Sequence, residues 1–170
     1  TTASEIKATL ASIIIGVFAA LFITTFICSM AEVPTGSMEN TIKAESSLVL
    51  NKIIYRFNEP QRGDIVAFNA TDNGDDMVYL KRIIGLPGEN IAYEKNHLYI
   101  NGNRTKEVFL DKETFTANFD FEDICDLSEC KDGVIPKDYY LVMGDNRNNS
   151  LDSRDKEFGL VSKDEIKGIA

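Results

Sequence analysis

A chain of 170 residues, 44% of them hydrophobic, has room for one folded domain with a core of its own. Its formal charge of −9 excludes the basic footprint that nucleic-acid binding requires and reads otherwise as a solvated acidic surface. The single histidine, His97, excludes a histidine-rich zinc site, and a Ser–His–Asp triad would have to be built on it.

Thr1 to Lys7 is a short polar lead, and from Ala8 to Ala31 no residue is charged. As one helix at about 1.5 Å per residue this stretch spans roughly 36 Å, against a hydrocarbon layer of about 30 Å. A cleaved signal peptide would have a shorter apolar core of about 7–15 residues. The segment therefore reads as an uncleaved transmembrane anchor, with Cys28 as a small membrane hydrophobe. Lys7 is offset by Glu5, so the flanking charge says little about orientation.

Beyond residue 32 no long stretch has a helical period, and short β-patterned runs alternate with turns. Ser47–Leu50, Asp64–Phe68, Met77–Ile84 and Tyr139–Met143 read as strands, and Asn90–Tyr93 with Leu98–Ile100 as a hairpin. Asn101-Gly102 is a hairpin turn signal, which makes His97 an exposed hairpin residue. Thr71–Asp76 reads as a polar loop, and Asp111–Asp132 as an acidic, irregular segment holding Cys125 and Cys130. Those two cysteines are close enough to close a small loop in an oxidising compartment, or to stand as free thiols. Glu165–Ala170 reads as the start of another strand, which leaves room for a longer C-terminus. The class expected is a β-rich ectodomain of antiparallel sheets behind one N-terminal transmembrane helix, with an insert between about residues 90 and 138.

The chemistry-bearing stretch is Val33-Pro34-Thr35-Gly36-Ser37-Met38, directly after the apolar segment. Ser37 reads either as a turn serine capping a backbone amide or as a nucleophile, which would need a base to take its proton. Thr35, two residues earlier, can donate with the Ser37 N–H to a developing oxyanion. Lys81 is the candidate base, and must be neutral although its ordinary pKa is about 10.4. Strand alternation puts Met77, Tyr79, Lys81 and Ile83 on one face, where apolar neighbours would lower that value; the alternative is a lysine that snorkels to water. Arg82 points to the other face. In the polar stretch Gly144–Arg154, Asn146, Asn148 and Asn149 favour tight turns, and Asp152 and Arg154 can pair with each other or with Arg82.

Taken in order, Pro34–Met38, Arg62–Val66, Tyr79–Glu89, Gly144–Arg154 and Phe158–Val161 resemble bacterial type I signal peptidases, the membrane-bound serine proteases that remove signal peptides from exported proteins. The resemblance spans nearly the whole chain. It implies Ser37 as nucleophile, Lys81 as general base, Ser150 as the residue orienting that lysine, and Thr35 as side-chain oxyanion donor beside the Ser37 N–H. It also implies a supporting ion network of Arg82, Asp152 and Arg154, and a pocket for the small residue before the scissile bond lined by Val33, Pro34, Met38 and Tyr79. Cleavage of an Ala-X-Ala pattern is implied, with no metal or organic cofactor. The implied partners are secretory preproteins and the lipid bilayer, with no nucleic acid. Residues 1–7 would be a cytoplasmic lead, 8–31 the single span in a bacterial plasma membrane, and 32–170 the extracytoplasmic catalytic domain. One departure is Asn40, where many relatives carry proline. Two other readings compete. A non-catalytic, membrane-anchored β binding domain explains the anchor and the strands, but not why Ser37, Lys81 and Ser150 occur together. A self-cleaving repressor-type protease would need a DNA-binding helical module where this chain has its apolar segment.

Overall fold

The N-terminal apolar run divides between two kinds of structure in a computed structural model that describes residues 2–72, 75–125, 130–156 and 158–170. Helix α1 (Thr2–Phe22) continues through one π-helical turn, Ile23–Ile27. No side chain of α1 is buried, and Ile6, Leu10, Ile15 and Phe18 are each more than half exposed. The hydroxyls of Thr9, Ser12 and Thr24 donate to the carbonyls of Glu5, Ala8 and Ala20 at 2.9–3.0 Å, so they are satisfied without water. The stretch Thr2–Ile27 is long and apolar enough to cross a membrane.

The helix expected to reach Ala31 stops short of it. At Cys28 the backbone becomes extended (φ −143, ψ 158), and Cys28–Glu32 forms strand β1, antiparallel to β2 (Ser47–Asn51) with Met30 opposite Val49. Hydropathy alone does not separate a helical from an extended apolar segment, and here the partner strand decides by pairing its backbone groups. Cys28 is thus the first residue of a strand, with a free, half-buried thiol.

Strands β3 (Ile65–Asp72) and β4 (Asp75–Gly85) form a long hairpin with Val66 opposite Lys81 and Phe68 opposite Tyr79. Both strands reach into the stretch expected as a loop, β3 as far as Asp72 and β4 from Asp75; residues 73–74 lie outside the described residues. β5 (Ile91–Glu94), β6 (His97–Ile100) and β7 (Asn103–Thr105) make a separate three-stranded antiparallel sheet within the stretch, about residues 90 to 138, expected as an insert. Asn101 and Gly102 (φ 51 and 76) turn β6 into β7, the backbone that Asn-Gly adopts most readily in a two-residue hairpin loop. His97 is half-buried and lies 3.3 Å from Arg104, Nδ1 to Nη2. A short helix, α2 (Phe121–Ile124), precedes a disulfide between Cys125 and Cys130.

With β8 (Tyr139–Met143), β9 (Val161–Ser162) and β10 (Ile166–Ile169), the main sheet has the order β1-β2-β10-β3-β4-β8-β9, every pair antiparallel. The strand expected at the C-terminus is β10, inserted between β2 and β3. Alternation along β4 and β8 separates two cores. Ile83, Tyr140 and Val142 pack with Val66 and Phe68 on one face, whereas Ile84, Leu141 and Met143 pack with Ile91, Leu98, Phe121 and Ile135 on the insert side. Gly85 permits that second contact, since a Cβ there would lie 2.5 Å from Ile135 Cδ1 and 2.9 Å from Ile91 Cγ1. The same alternation sends Lys81 and Arg82 to opposite faces.

Candidate active site

The segment after β1 is fixed at both ends. Val33 N–H donates to Ser46 O (2.9 Å), and Val33 O accepts from Glu45 N–H (2.8 Å). Pro34 and an extended Thr35 lead into a single 3-10 turn, Gly36–Met38. Met38 is fully enclosed, and its carbonyl accepts from the N–H groups of Thr41 and Ile42. Ser37 is 7% exposed, and the Thr35 hydroxyl donates to Ser37 Oγ at 3.2 Å. Asn40 has φ +80, a conformation that asparagine tolerates and that proline, locked near −65°, cannot adopt. The departure at Asn40 therefore goes with a backbone shape that a proline would forbid.

The Gly36–Met38 turn packs against β4. Lys81 is 1% exposed, so it does not snorkel to water. Among the described residues no hydrogen bond or ion pair reaches its Nζ, which lies 5.7 Å from the centre of the Tyr79 ring. Burial pushes the Lys81 ammonium down to about 8; the Asp152 charge opposes this and the Arg154 charge assists it. The Asp152 oxygens themselves are engaged by other donors. Arg154 donates to them through Nε (2.8 Å) and Nη2 (2.9 Å), and the Gly144 N–H donates at 2.9 Å. Burial alone would raise the Asp152 carboxyl, but Arg154 and the Gly144 N–H outweigh it, with help from nearby Ser150, and hold it below the ordinary value.

Gly144 is where the site closes. A Cβ there would lie 2.2 Å from Ser150 Oγ and 2.4 Å from Ser37 O, so only glycine lets these two residues approach from both sides. Asn146 completes the clamp: its N–H donates to Ser37 O and its Nδ2 to Gly36 O, each at 3.0 Å. Ser150 Oγ is buried and makes no hydrogen bond by distance and angle, although it is near enough to Asp152 to favour that carboxylate. A buried hydroxyl with no better-aligned acceptor is costly.

The structure thus gathers Ser37, Thr35, Lys81, Ser150, Asp152 and Arg154. Arg82 is elsewhere. Its Nε and Nη2 bind both Asp145 oxygens (2.9 and 2.6 Å) and its Nη1 binds Gly63 O (2.7 Å), on the face opposite Lys81. The single ion network expected for Arg82, Asp152 and Arg154 is therefore two separate pairs, because neighbouring residues of a strand diverge. Of the four expected pocket residues, Val33 and Met38 are buried, Tyr79 is half-buried in a stack with Phe68, and Pro34 is exposed. Roles for Asp145, Thr41 and Arg147 did not emerge from the sequence. Asp145 accepts from Thr41 Oγ1 as well as from Arg82, and Arg147 donates to Gly144 O at 3.0 Å. The density of polar residues from Gly144 to Arg154 was the one signal for the first and last of these. Among the described residues no group of three or more His, Cys, Asp or Glu is placed to hold a metal ion.

Residues 6–170 match the family model described as signal peptidase, peptidase S26. A probable signal peptidase I-2 from Synechocystis is 37% identical over 164 residues, covering 94% of this chain and 68% of that protein. Signal peptidase IB from Staphylococcus aureus is 36% identical over 159 residues, covering 89% and 80%. The fold is similar to a crystal structure of a signal peptidase I from Enterococcus faecalis V583, with a TM-score of 0.54 and 34% identity over 66% of this chain and 97% of that one. The chain belongs to the signal peptidase family, peptidase S26, a family of serine endopeptidases.

Proposed function

We propose that the protein cleaves signal peptides from exported preproteins through a Ser37 acyl-enzyme with Lys81 as general base. The observation that carries this reading is a lysine buried without an ion partner, against the turn that holds a nearly buried serine. Neutral Lys81 takes the Ser37 Oγ proton as that oxygen attacks the scissile carbonyl carbon. The developing oxyanion is held by the Ser37 N–H and by the Thr35 hydroxyl, which turns to it from Ser37 Oγ. As the carbon–nitrogen bond breaks, Lys81 returns its proton to the leaving amine. Lys81 then takes a proton from the water that attacks the ester carbon and passes it to Ser37 Oγ as the ester carbon–oxygen bond breaks, which restores the free serine and the neutral lysine. Ser150 holds Lys81 in line, and Arg154 keeps Asp152 from competing for the ammonium. Cleavage follows small residues in an Ala-X-Ala pattern, with Val33, Pro34, Met38 and Tyr79 forming the walls around the last of them.

The Thr2–Ile27 helix supports a single span in a bacterial plasma membrane, with Lys7 and the residues before it as the cytoplasmic lead. The domain beyond β1, including its insert, then works at the outer face. Met30 and Val49, paired across β1 and β2 and 78% and 60% exposed, support contact of this edge with the interface. Such tethering raises the enzyme's concentration at substrates that are themselves in the bilayer.

The test is cleavage of an Ala-X-Ala preprotein by the full chain in detergent plus lipid, with the cut site read by mass spectrometry. A cut after the last small residue, absent with Ser37→Ala, is the expected result. An inert parent chain that is folded would put a membrane-anchored binding domain in its place.

A further inference from the structure

We propose that the insert positions the catalytic loop, with Glu107 and Phe109 bracing the Gly144-Asp145 turn through Arg147 and Arg82; this rests on the protease reading above. The Glu107 and Arg147 side chains are 7% and 0% exposed and meet at 2.5 Å, Oε1 to Nη2. Arg147 Nη1 donates to Tyr93 OH and to Thr116 Oγ1, each at 3.0 Å, and Tyr93 OH donates to Glu107. Three parts of the insert therefore converge on one guanidinium. Its Nε is left for Gly144 O at 3.0 Å, and the Arg147 carbonyl accepts from Arg154 Nη1 at 2.8 Å. Gly144 is thereby held on both sides, its carbonyl by Arg147 and its N–H by Asp152.

Two residues along from Glu107, Phe109 lies with its ring centre 4.2 Å from Arg82 Cζ, and Arg82 in turn holds the Asp145 carboxylate. Val108 between them is 80% exposed. The short segment Glu107–Phe109 thus touches both arginines that anchor Gly144 and Asp145. Because Gly144 is pressed between Ser150 Oγ and Ser37 O, a shift of this turn moves the nucleophile and the lysine-orienting hydroxyl relative to each other. Displacements of about 1 Å at such distances cost up to about 100-fold in rate. Glu107 and Phe109 touch no reacting atom and act as positioning residues.

The experiment uses the full chain in detergent plus lipid, with an Ala-X-Ala preprotein, and measures kcat and KM from pH 6 to 10. Thermal melting is recorded alongside. The variants are Glu107→Gln, Tyr93→Phe and Phe109→Leu, with Lys95→Gln at the exposed β5–β6 turn as control. In parallel, acetic anhydride labelling of Lys81, read by mass spectrometry, follows the environment set by Tyr79, Asp152 and Arg154 without needing activity. Glu107→Gln is expected to lower kcat about 10- to 100-fold with KM within about twofold, while Lys95→Gln matches the parent. The Lys81 labelling midpoint is expected to rise from about 8 as the loosened loop admits water. The other two variants move in the same direction by less. Folded variants with unchanged kcat, with loss confined to KM, or with an unmoved Lys81 midpoint would overturn the proposal. If Glu107→Gln does not fold, Tyr93→Phe, which keeps the ion pair and deletes one hydroxyl, decides by the same criteria. An inert parent chain would count against the protease reading alone, and the labelling shift would still decide the positioning role.

Discussion

Lys81 and Arg147 are equally hidden, at 1% and 3% exposed, and the protein treats them in opposite ways. For Arg147, burial disfavours the charge, but the Glu107 hydrogen bonds and charge, with Tyr93, more than reverse this and raise its pKa. For Lys81 the Asp152 charge opposes the burial without outweighing it, and the Asp152 oxygens are held by Arg154 and the Gly144 N–H rather than by the lysine. Burial therefore does not decide whether a cation is a clamp or a base; the accounting of partners does. The fall from 10.5 to about 8 means that the native state carries a penalty on the order of 3 kcal/mol below pH 8. A site that served stability alone would not keep such a residue.

Substitutions at the two cations and at the turn between them break this comparison at graded depths. Ser37→Ala and Lys81→Met should each lower the cleavage rate by about 1000-fold or more, measured as kcat/KM on a preprotein. Lys81→Met should also raise Tm at pH 7. The sign follows from the depressed pKa: the native state resists a proton that the unfolded chain accepts, so the parent gains stability as pH rises from about 8 towards 10.5, and the advantage of the methionine fades over that window. In the parent, activity should fall about tenfold for each pH unit below about 8 as Lys81 takes up its proton, which a pH–rate profile reads directly.

Gly144→Ala should cost about 100-fold in kcat, because its methyl group would meet Ser150 Oγ at 2.2 Å and Ser37 O at 2.4 Å. Arg147→Met strands the buried Glu107 carboxylate. It should cost about 3–5 kcal/mol, seen as a Tm lower by roughly 6–20 °C, and adding Glu107→Met should restore most of it. At the bottom of the scale, Lys95→Ala removes a fully solvated contact with Glu94 and should leave Tm and kcat within error of the parent.

Much of this contrast is written in local pattern. Met77, Tyr79, Lys81 and Ile83 alternate with polar or oppositely facing residues, which is enough to place Lys81 inward and Arg82 away from it. Asn101-Gly102 specified its own turn, because few other pairs accept positive φ at both positions. The proximity of Ser37 to the apolar run likewise needed no fold to be seen. The partner of Arg82 was not legible, since Asp145 and Asp152 stand in the same polar stretch and only the direction of β4 chooses between them. Glu107 gave no signal at all. It is one acid among many in an acidic chain, and it matters because a buried guanidinium faces it.

By itself the sequence determined what depends on neighbours within a few residues: an apolar helix at the N-terminus, the inward face of the lysine strand, the turns, and a serine on a bent loop beside a membrane-length segment. The tertiary structure alone decided where that helix ends, since Cys28–Glu32 becomes a strand only when β2 lies beside it. It also decided the joining of Cys125 to Cys130, and which acid meets which arginine, across 63 residues for Arg82 and Asp145 and 40 for Arg147 and Glu107. The physical reason is range. Backbone preferences and side-chain periodicity act over a turn or a strand, whereas ion partners and buried donors are assigned by whichever surfaces the closed sheet brings together.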